Sequence, residues 1–297
     1  MSGKLKEVRD RIVSINSTQQ ITSAMKMVSA AKLRKATDAI VQMRPYADRL
    51  NRMLGNIVTN LEGDLNTNLH EKRTPANVLM VVVTSNRGLC GAFNANIIKK
   101  AEQKIRDNYS EQKLSGNLSF LCIGKKGNEY FKKHFKGCKV NSDFVFAFED
   151  LSSANINKIS GDLISAFENE NYDLIDVAYA SFKNAGVQYP KVEQFLPIED
   201  ISIVEGEAKE FMADYIFEPD KVQLLEHLIP SILMNSFHKI LLDTHASEHG
   251  ARMTAMENAT ENAKDLLKDL KLVYNKARQE AITSELSEIV SGAAALG

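Results

Sequence analysis

Proline is absent from both ends of this 297-residue chain: none of its six prolines lies before Pro45 or after Pro230. Because proline ends or kinks a helix, the two ends are predicted to form long helices, from about Lys4 to Leu54 and from about Asp220 to the end. At 1.5 Å per residue, these helices would be roughly 75 Å and 110 Å long. A domain of this size cannot cover such helices, so they must pair with each other, with another protein, or with both.

The apolar pattern of the first helix begins as a coiled-coil seam with spacings of three and four: Leu5, Val8, Ile12 and Ile15. In the same register the seam then reaches only polar residues: Gln19, Thr22, Lys26 and Ser29. A second stripe carries the apolar residues of this stretch: Ile21, Met25 and Val28. We therefore predict that the apolar face moves around the helix, and that the polar stretch favours an acidic partner surface over a dry two-helix core.

The last helix shows two predicted apolar seams. The first consists of Leu266, Leu270, Val273 and Ala277, and the second of Ile282, Leu286, Ile289, Ala293 and Leu296. A coiled coil between the two ends of the chain would bring the termini together. The periodicity leaves open whether the helices run parallel or antiparallel.

The middle of the chain alternates between strand and helix patterns. Strands are predicted at 78–84, 118–123, 174–182 and, as an edge strand, 192–196, with a further possible strand at 144–148. Helices are predicted at 93–109, 128–135 and 156–168. This alternation indicates an α/β layer with a largely parallel sheet. We predict an N-terminal helix at 1–60, an α/β domain at 75–200 and a C-terminal helix at 215–297 that pairs with the first.

Charge and cysteine content exclude several classes of protein. The 37 basic and 38 acidic residues give a net charge of -1, whereas nucleic-acid binders usually carry a basic excess. The three cysteines have no metal-type spacing, and we interpret them as thiols in a reducing compartment. The longest apolar run, NVLMVVV, is far shorter than the ~20 residues of a membrane-spanning helix. The charged N-terminus lacks the apolar core of a signal peptide.

The segment TSNRGLCGAFN lies between a predicted strand and a helix, where phosphate-binding turns occur. It offers only Gly88 and Gly91, and it matches neither the dinucleotide fingerprint nor the P-loop. We therefore favour a tight structural turn or a partner contact over a nucleotide site. Cys90 follows the strand, but the sequence assigns no histidine to it as a base.

The string HASEH fits the inverted zinc-protease pattern, with His245 and His249 as ligands and Glu248 as base. A third ligand and a closed pocket would be needed. The predicted context is a long helix that pairs along its length, which favours a solvated or partner-facing surface. A helix-borne zinc hydrolase and a plain coiled-coil scaffold with an α/β head remain the alternative functions.

Four segments together resemble the gamma subunits of F-type ATP synthases: ITSAMKMVSAAKLRKA, TSNRGLCGAFN, SEHGARMTAMENATENA and LVYNKARQEAITSELSEIVSGAAAL. Their order and spacing also match, and the resemblance covers essentially the whole chain. Two residues depart from the family pattern. Asn86 stands where Asp is common, and Gly250 stands where Ala is usual, at a cost of about 1 kcal/mol inside a helix.

The resemblance implies an antiparallel coiled coil of the N- and C-terminal helices, the central shaft, beside a Rossmann-like α/β domain. It implies a central-stalk rotor that transmits rotation of the membrane c ring to the ring of alpha and beta subunits. Proton flow would thereby be coupled to ATP synthesis and hydrolysis. The expected partners are alpha, beta, epsilon and the c ring, with no nucleic acid and with the membrane reached only through partners.

The family motifs also imply contact residues. Met25 and Lys26 match the segment that faces the acidic lever loop of beta. Four positions of the last helix match residues that contact beta or couple with Met25: Arg252, Arg278, Gln279 and Thr283. Tyr215 and Glu218 match positions that meet the polar loops of the c ring.

The resemblance further implies a non-catalytic subunit, since the catalytic sites of the family lie on beta. No catalytic residue, cofactor or metal is therefore expected in this chain. The absence of a transit segment points to a bacterial protein held peripherally on the cytoplasmic side of the plasma membrane.

Overall fold

The computed structural model describes residues 3–59, 69, 73–198 and 221–296. Two long helices flank the chain, α1 (Gly3–Thr59) and α6 (Lys221–Leu296). Between them lie the remaining helices, α2 (Phe93–Asn108), α3 (Ser110–Ser115), α4 (Lys125–His134) and α5 (Ser153–Glu168). The strands are β1 (Val78–Val83), β2 (Leu118–Ile123), β3 (Lys139–Asn141), β4 (Leu174–Asn184) and β5 (Val187–Leu196).

The strands form one sheet in the order β3-β2-β1-β4-β5. The first four are parallel to one another, and β5 pairs antiparallel with β4 at the edge. All six residues of β1 are buried, which explains why this strand reads as a continuous apolar run rather than an alternating one. The predicted α/β class with a largely parallel sheet is confirmed.

Each face of the sheet is covered by helices. On one face, α2 and α4 contribute Ile97, Ala101 and Phe131 to a core that includes Met80 and Phe120. On the other face, α5 and α6 contribute the largest share of the core: Ile159, Leu163, Phe167, Leu233, Phe237 and Leu241. Helices on both faces of a sheet whose order changes direction between β1 and β4 are typical of doubly wound folds.

The strand predicted at 144–148 is wrong, because this segment forms a turn and a 3₁₀ helix at Ala147–Glu149. Asn141 ends the short strand β3 by accepting a hydrogen bond from the backbone N–H of Asp143. Phe144 and Phe148 nevertheless pack against the sheet core, so their apolar character reports burial and not strand structure. Neither β3 nor α3 was predicted.

The chain divides into two compact units, one formed by residues up to Ala30 with those from Arg252 onward, the other by Ala31–Ala251. Both long helices contribute to both units. The division predicted from the sequence, at 1–60, 75–200 and 215–297, stays a prediction.

Within the first unit, α1 and α6 run antiparallel. Lys4 lies 3.7 Å from Glu280, Thr22 bonds to Thr260 and Lys26 bonds to Glu257. The residue numbers of the α1 partners rise from 4 to 26, while those of their α6 partners fall from 280 to 257. The predicted coiled coil is thus confirmed, and its direction is the one implied by the family resemblance.

Candidate partner-binding surfaces

The seam between α1 and α6 in the first unit follows a heptad pattern on α6. Buried residues recur every seven positions: Met256, Ala263, Leu270 and Ala277. Thr260 and Leu267 follow the first two of these by four residues and also face the seam. Of the first predicted seam, Leu270 and Ala277 are confirmed as buried, whereas Leu266 and Val273 are wrong, since both side chains are exposed. The true seam was obscured because it uses alanine and threonine in place of larger apolar residues.

On α1 the original register continues where the sequence predicted a shift. Thr22 and Ser29 are buried, with 9% and 2% of their surface exposed, whereas Ile21 and Val28 are 60% and 57% exposed. The predicted movement of the apolar face around the helix is therefore confirmed, while the seam itself keeps the original register and is polar at this level. The physical reason is that both hydroxyls have hydrogen-bond partners: Thr22 bonds to Thr260 of α6, and Ser29 donates to the Met25 carbonyl of its own helix.

The second apolar stripe of α1 exists, but it faces away from α6. We call Ile21, Met25 and Val28 the outer α1 surface. Ile21 and Val28 are exposed, and Met25 between them is half-buried. Spacings of four and three place the three side chains on one helical face. An apolar stripe on the outside of a helical pair is typical of a partner-binding surface.

Lys26 lies at the border between the seam and the outer α1 surface. Its ammonium nitrogen is 2.5 Å from Glu257 Oε1, and the two side chains are 39% and 48% exposed. This ion pair crosses from α1 to α6. An acidic partner that approaches Lys26 therefore meets an ammonium group that already has a carboxylate neighbour.

The predicted contact residues of α6 lie at two separate levels. Arg252 is buried near the level of Lys26, five residues before Glu257. Arg278, Gln279 and Thr283 are exposed near the other end of the pair, where Glu280 meets Lys4. Glu257 and Gln279 are 22 residues apart, or about 33 Å along a helix. Met25 and Gln279 are thus not brought together.

Gln279 and Thr283 share one shallow face at the end of α6. The hydroxyl of Thr283 donates a hydrogen bond to the backbone carbonyl of Gln279. The face continues with polar residues at helical spacing: Lys276, Glu280, Ser284, Ser287, Glu288 and Ser291. This polar strip is open along its length and offers no enclosed cavity.

The end of α6 extends beyond the first described residue of α1. Every side chain from Ile282 to Ala294 is exposed, and we call this stretch the α6 tip. Its apolar residues are Ile282, Leu286, Ile289 and Val290, each at least 50% exposed. A row of exposed branched apolar residues on a single helix is costly in water unless a partner covers it.

The loop between β1 and α2 is held by its own side chains. The Ser85 backbone N–H donates to Asn94 Oδ1, and the Ser85 hydroxyl donates to the Arg87 carbonyl. Cys90 is buried, and Asn94 Nδ2 lies 3.3 Å from its sulfur. Leu89 and Gly91 have positive φ angles of 63° and 59°, as expected in a tight turn.

The same loop caps the first turn of α4. The backbone N–H groups of Lys125, Lys126 and Gly127 donate to Asn86 Oδ1, the Ser85 carbonyl and Thr84 Oγ1, respectively. These amides would otherwise be available to a phosphate group. The arrangement therefore gives the loop a structural role at the start of α4.

Helix α6 packs against the C-terminal half of β4. Ser247 donates to the Ala180 carbonyl, and Ala251 packs against the cluster that contains Ala178 and Ala180. A Cβ atom on Gly250 would lie 3.2 Å from the Cα and carbonyl oxygen of Ala185. The absence of a side chain at Gly250 thus permits a close approach of α6 to the β4–β5 turn. Ligands of doubly wound sheets usually bind beside this region, between β1 and β4.

The two histidines of the zinc-like motif contact each other. Their Nε2 atoms are 3.1 Å apart, and the ring of His245 stacks on Phe148. Glu248 and His249 are buried. Within the described ranges, no group of three or more His, Cys, Asp or Glu side chains is placed to hold a metal ion.

Tyr215 and Glu218, the predicted c-ring contacts, lie outside the described residues. Among the described helices, none has the length and apolar content needed to cross a membrane. The three cysteines are free thiols. Burial raises the pKa of the Cys122 thiol from 9.0 to about 12.

A family model described as ATP synthase matches residues 4–296 of this chain. The ATP synthase gamma chain of Cytophaga hutchinsonii is 50% identical over 294 residues, which cover 98% of both chains. The ATP synthase gamma chain of Christiangramia forsetii is 48% identical over 292 residues, again 98% of both.

Solved structures show the same fold at lower sequence identity. A chain of the Euglena gracilis mitochondrial ATP synthase has a TM-score of 0.66 and 21% identity, covering 100% of this chain and 95% of its own. A chain of the Tetrahymena thermophila mitochondrial ATP synthase central stalk and c ring has a TM-score of 0.55 and 22% identity, covering 80% and 99%.

Proposed function

Because this chain belongs to the family of ATP synthase gamma chains, we propose that it is the central rotor shaft of an F-type proton-translocating ATP synthase. In this role it transmits rotation of the membrane c ring to the ring of alpha and beta subunits. Proton flow is thereby coupled to ATP synthesis and hydrolysis. The chain itself is non-catalytic, needs no cofactor, and acts through its partners.

The observation that carries this proposal is the α6 tip. The antiparallel pair is continued by a single helix whose apolar residues, among them Leu286 and Ile289, are exposed. Such a helix is stable in water only marginally, and a surrounding apolar sleeve would cover it. A ring of subunits around the tip supplies such a sleeve, whereas a two-protein contact covers one side only.

The pair is also asymmetric around its axis. One side of α1 presents the outer α1 surface, while α6 presents exposed residues such as Leu272 and Val273. A threefold ring that surrounds this pair meets a different surface at each beta subunit. Differential contact is what biases a subunit among its conformational states. A membrane potential of 100 mV supplies ~2.3 kcal/mol for each proton that crosses. A pair of packed helices is stiff enough to transmit this energy as torque.

We assign the contacts of the catalytic ring to two levels of the pair. The first level contacts the acidic lever loop of beta through Met25, Lys26 and Arg252. Arg278, Gln279 and Thr283 serve a second level, about 33 Å along α6. The separation supports two independent contact zones and not one site in which Met25 couples directly with Gln279.

The remaining partners follow from the family. Tyr215 and Glu218 would meet the polar loops of the c ring, and epsilon would bind beside them. The complex would hold the chain peripherally on the cytoplasmic side of a bacterial plasma membrane. The helical segments at 1–60 and 215–297 would act as the shaft, and the segment at 75–200 as its α/β domain.

Reconstitution tests the proposal. The chain is mixed with alpha and beta subunits, and ATP hydrolysis is compared with that of alpha and beta alone. We expect strong activation by the chain and no hydrolysis by the chain on its own. A chelator-sensitive hydrolase activity of the isolated chain would instead support the zinc-enzyme alternative.

A double substitution separates a rotor from a scaffold. Replacing Gln279 and Thr283 with alanine should lower ATP synthesis in coupled vesicles several-fold, while thermal unfolding of the chain changes little because both side chains are exposed. Exposed Ser284, replaced with alanine, serves as the control on the same face. Parental coupling in the double variant would show that these residues are not coupling contacts.

A further inference from the structure

Positive charge is concentrated in one short part of the α/β domain. Residues 110–117 and 125–139 contain seven lysines, no arginine and two glutamates, a net charge of +5 in a chain whose net charge is -1. One of the two glutamates, Glu129, lies 2.8 Å from the ammonium nitrogen of Lys126. Five exposed lysines lie at one corner of the domain, which we call the lysine corner: Lys113, Lys132, Lys133, Lys136 and Lys139.

The lysine corner lies at the edge of the sheet where the parallel strands begin. Helix α3 ends shortly before β2, and α4 ends shortly before β3, whose first residue is Lys139. The two connecting turns are close, since a Cβ atom on Gly116 would lie 3.8 Å from the Gly137 carbonyl oxygen. The ammonium nitrogen of Lys113 is 4.7 Å from the centre of the Phe135 ring. This contact holds the end of α3 beside the end of α4.

The helix dipoles account for only part of this cluster. Lysines are favourable at a helix C-terminus because the last carbonyl groups carry partial negative charge. Lys113, Lys132 and Lys133 lie in the last turns of α3 and α4. Lys136 and Lys139 lie beyond the helices. Five ammonium groups on one small surface repel one another, and a nearby anionic surface would remove this repulsion.

An exposed leucine lies beside the lysines. Leu114 follows Lys113 on α3 and is 88% exposed, more than any other large apolar side chain in the described part of the chain. Such a leucine gains free energy when it enters the boundary between headgroups and acyl chains, while lysines around it attract anionic lipids. The two features together are typical of a surface that binds a bilayer.

The lysine corner also lies opposite the edge at which the two long helices leave the domain. Helix α6 contacts the C-terminal half of β4 at Ser247 and approaches the turn after β4 at Gly250. The second compact unit ends on α6 one residue later, at Ala251. Helix α1 lies beside α6 here, because Ala36 and Ala246 belong to one apolar cluster. Both helices therefore leave at the C-terminal edge of the sheet.

We propose that the lysine corner binds the anionic phospholipid headgroups of the membrane beside the c ring. The orientation rests on the proposed rotor role: if the long helices enter the catalytic ring, the opposite edge of the sheet faces the membrane. The affinity for an anionic bilayer is a property of this surface and does not depend on that role.

The composition of the corner favours lipid over an acidic protein partner. Arginine is enriched in protein interfaces and binds carboxylates bidentately, whereas lysine is depleted there. The corner contains lysine only. Hydrated ammonium groups exchange readily between the phosphate groups of a fluid bilayer, so the contact holds the domain near the membrane without fixing its angle. A rotor needs a contact of this kind.

Flotation with vesicles tests the binding. The chain is assembled with alpha and beta subunits, which cover its other apolar surfaces, in the absence of the c ring. The complex is mixed with vesicles of phosphatidylglycerol and phosphatidylcholine in equal parts, or of phosphatidylcholine alone. We expect flotation with the anionic vesicles at low salt and weaker flotation at high salt, because ions screen the charges. Vesicles of phosphatidylcholine alone should float little of the complex.

Removal of four lysines should weaken the binding. The corner variant, Lys132→Gln/Lys133→Gln/Lys136→Gln/Lys139→Gln, should lose affinity for anionic vesicles roughly 100-fold, because each lysine near an anionic surface adds a several-fold factor. The matched control makes the same change at four exposed lysines elsewhere in the domain: Lys99, Lys158, Lys183 and Lys239. The control should bind nearly as tightly as the parent chain, and both variants should unfold at the parental temperature because all these side chains are exposed.

The leucine is tested separately. Leu114→Ser should lower the affinity several-fold at low and high salt alike, because salt does not screen an apolar contact. Val187→Ser, at an exposed apolar residue of the β4–β5 turn on the opposite edge, is the control and should bind as the parent does.

The outcomes are distinguishable. Equal binding of the corner variant and its control to anionic vesicles overturns the proposal, as does flotation that does not require phosphatidylglycerol. If the corner variant in the complete enzyme loses proton pumping while its flotation is unchanged, the lysines bind an acidic protein, and the lipid assignment is overturned. If the unsubstituted chain does not activate alpha and beta, the rotor role fails, and flotation of the full chain alone still decides whether the corner binds lipid.

Discussion

The sheet and the α1–α6 pair differ in how completely they bury their apolar residues. Every residue of β1 is buried between two helical layers. In the pair, the buried α1 side chains up to Ala30 are Leu5, Thr22 and Ser29, while Ile21 and Val28 are exposed. The sheet therefore buries its own apolar residues within the domain, whereas the pair leaves larger apolar side chains exposed, where only partners can cover them. Substitutions should accordingly affect stability in the first region and assembly in the second.

The largest loss of stability is expected for Gly124→Ala, next to the end of β2. Gly124 has a φ of 99°, and a Cβ atom would lie 1.9 Å from the Thr84 carbonyl oxygen. The backbone of β1 or of the α4 cap must shift, at a cost of more than about 3 kcal/mol in the free energy of unfolding. Unfolding in urea measures this loss in the free energy of unfolding. Gly137→Ala, where a Cβ meets nothing within 4 Å, is the control; equal losses at both sites would contradict the steric argument.

Alkaline pH should destabilise the sheet region. Burial raises the pKa of the Cys122 thiol from 9.0 to about 12, and burial with the Glu193 hydrogen bond raises that of Tyr179 above its ordinary value. The folded state keeps these protons while the unfolded chain releases them, so stability is full below pH 9 and falls above it. The slope is about 1.4 kcal/mol per pH unit for each such proton.

Unfolding by urea between pH 8 and pH 11 measures this slope. Cys122→Ala should make the decline shallower from pH 9 upward, even though the smaller side chain lowers stability at every pH. An identical slope in the variant would exclude the thiol as its source.

A smaller, stabilising effect is expected for Asn86→Asp. Asn86 Oδ1 accepts a hydrogen bond from the Lys125 N–H at the start of α4. A carboxylate there adds a favourable charge at a helix N-terminus, about 0.3–1 kcal/mol at low salt. The gain should shrink in high salt, and Asn86→Ala should show a loss instead. A salt-independent gain would rule out the electrostatic explanation.

The smallest change in stability is expected at the α6 tip. Leu286→Ser with Ile289→Ser should alter the free energy of unfolding by less than about 0.5 kcal/mol, because both side chains are exposed. Activation of ATP hydrolysis by alpha and beta should nevertheless fall several-fold. Ser287→Ala is the control at a neighbouring exposed position. Full activation by the double variant would show that partners do not cover the tip.

Most elements of the α/β domain were predictable because local pattern and burial agree there. The apolar runs at β1 and β2 and the helical spacing of α2 and α5 correspond to the observed elements within a few residues. The prediction failed at Phe144–Phe148, where aromatic residues pack against the core from a turn. Composition alone cannot separate a buried turn from a short strand.

The candidate surfaces were predicted less completely. The sequence singled out Met25 and Lys26, but it missed Glu257, Thr22 and Thr260. A heptad pattern read through Met256, Ala263, Leu270 and Ala277 would have indicated Thr260 as a seam position. Nothing in the first helix by itself reveals that Thr22 has a hydroxyl partner 238 residues later.

The sequence by itself determined the long terminal helices, the parallel sheet and the family, because these depend on proline placement, periodicity and specific motifs. Only the tertiary structure decided which face of α1 is inside. Burial of a polar side chain is favourable or costly according to its partner, and that partner belongs to the other end of the chain. For this reason the seam keeps Thr22, which bonds to Thr260, and the apolar stripe beside it faces outward.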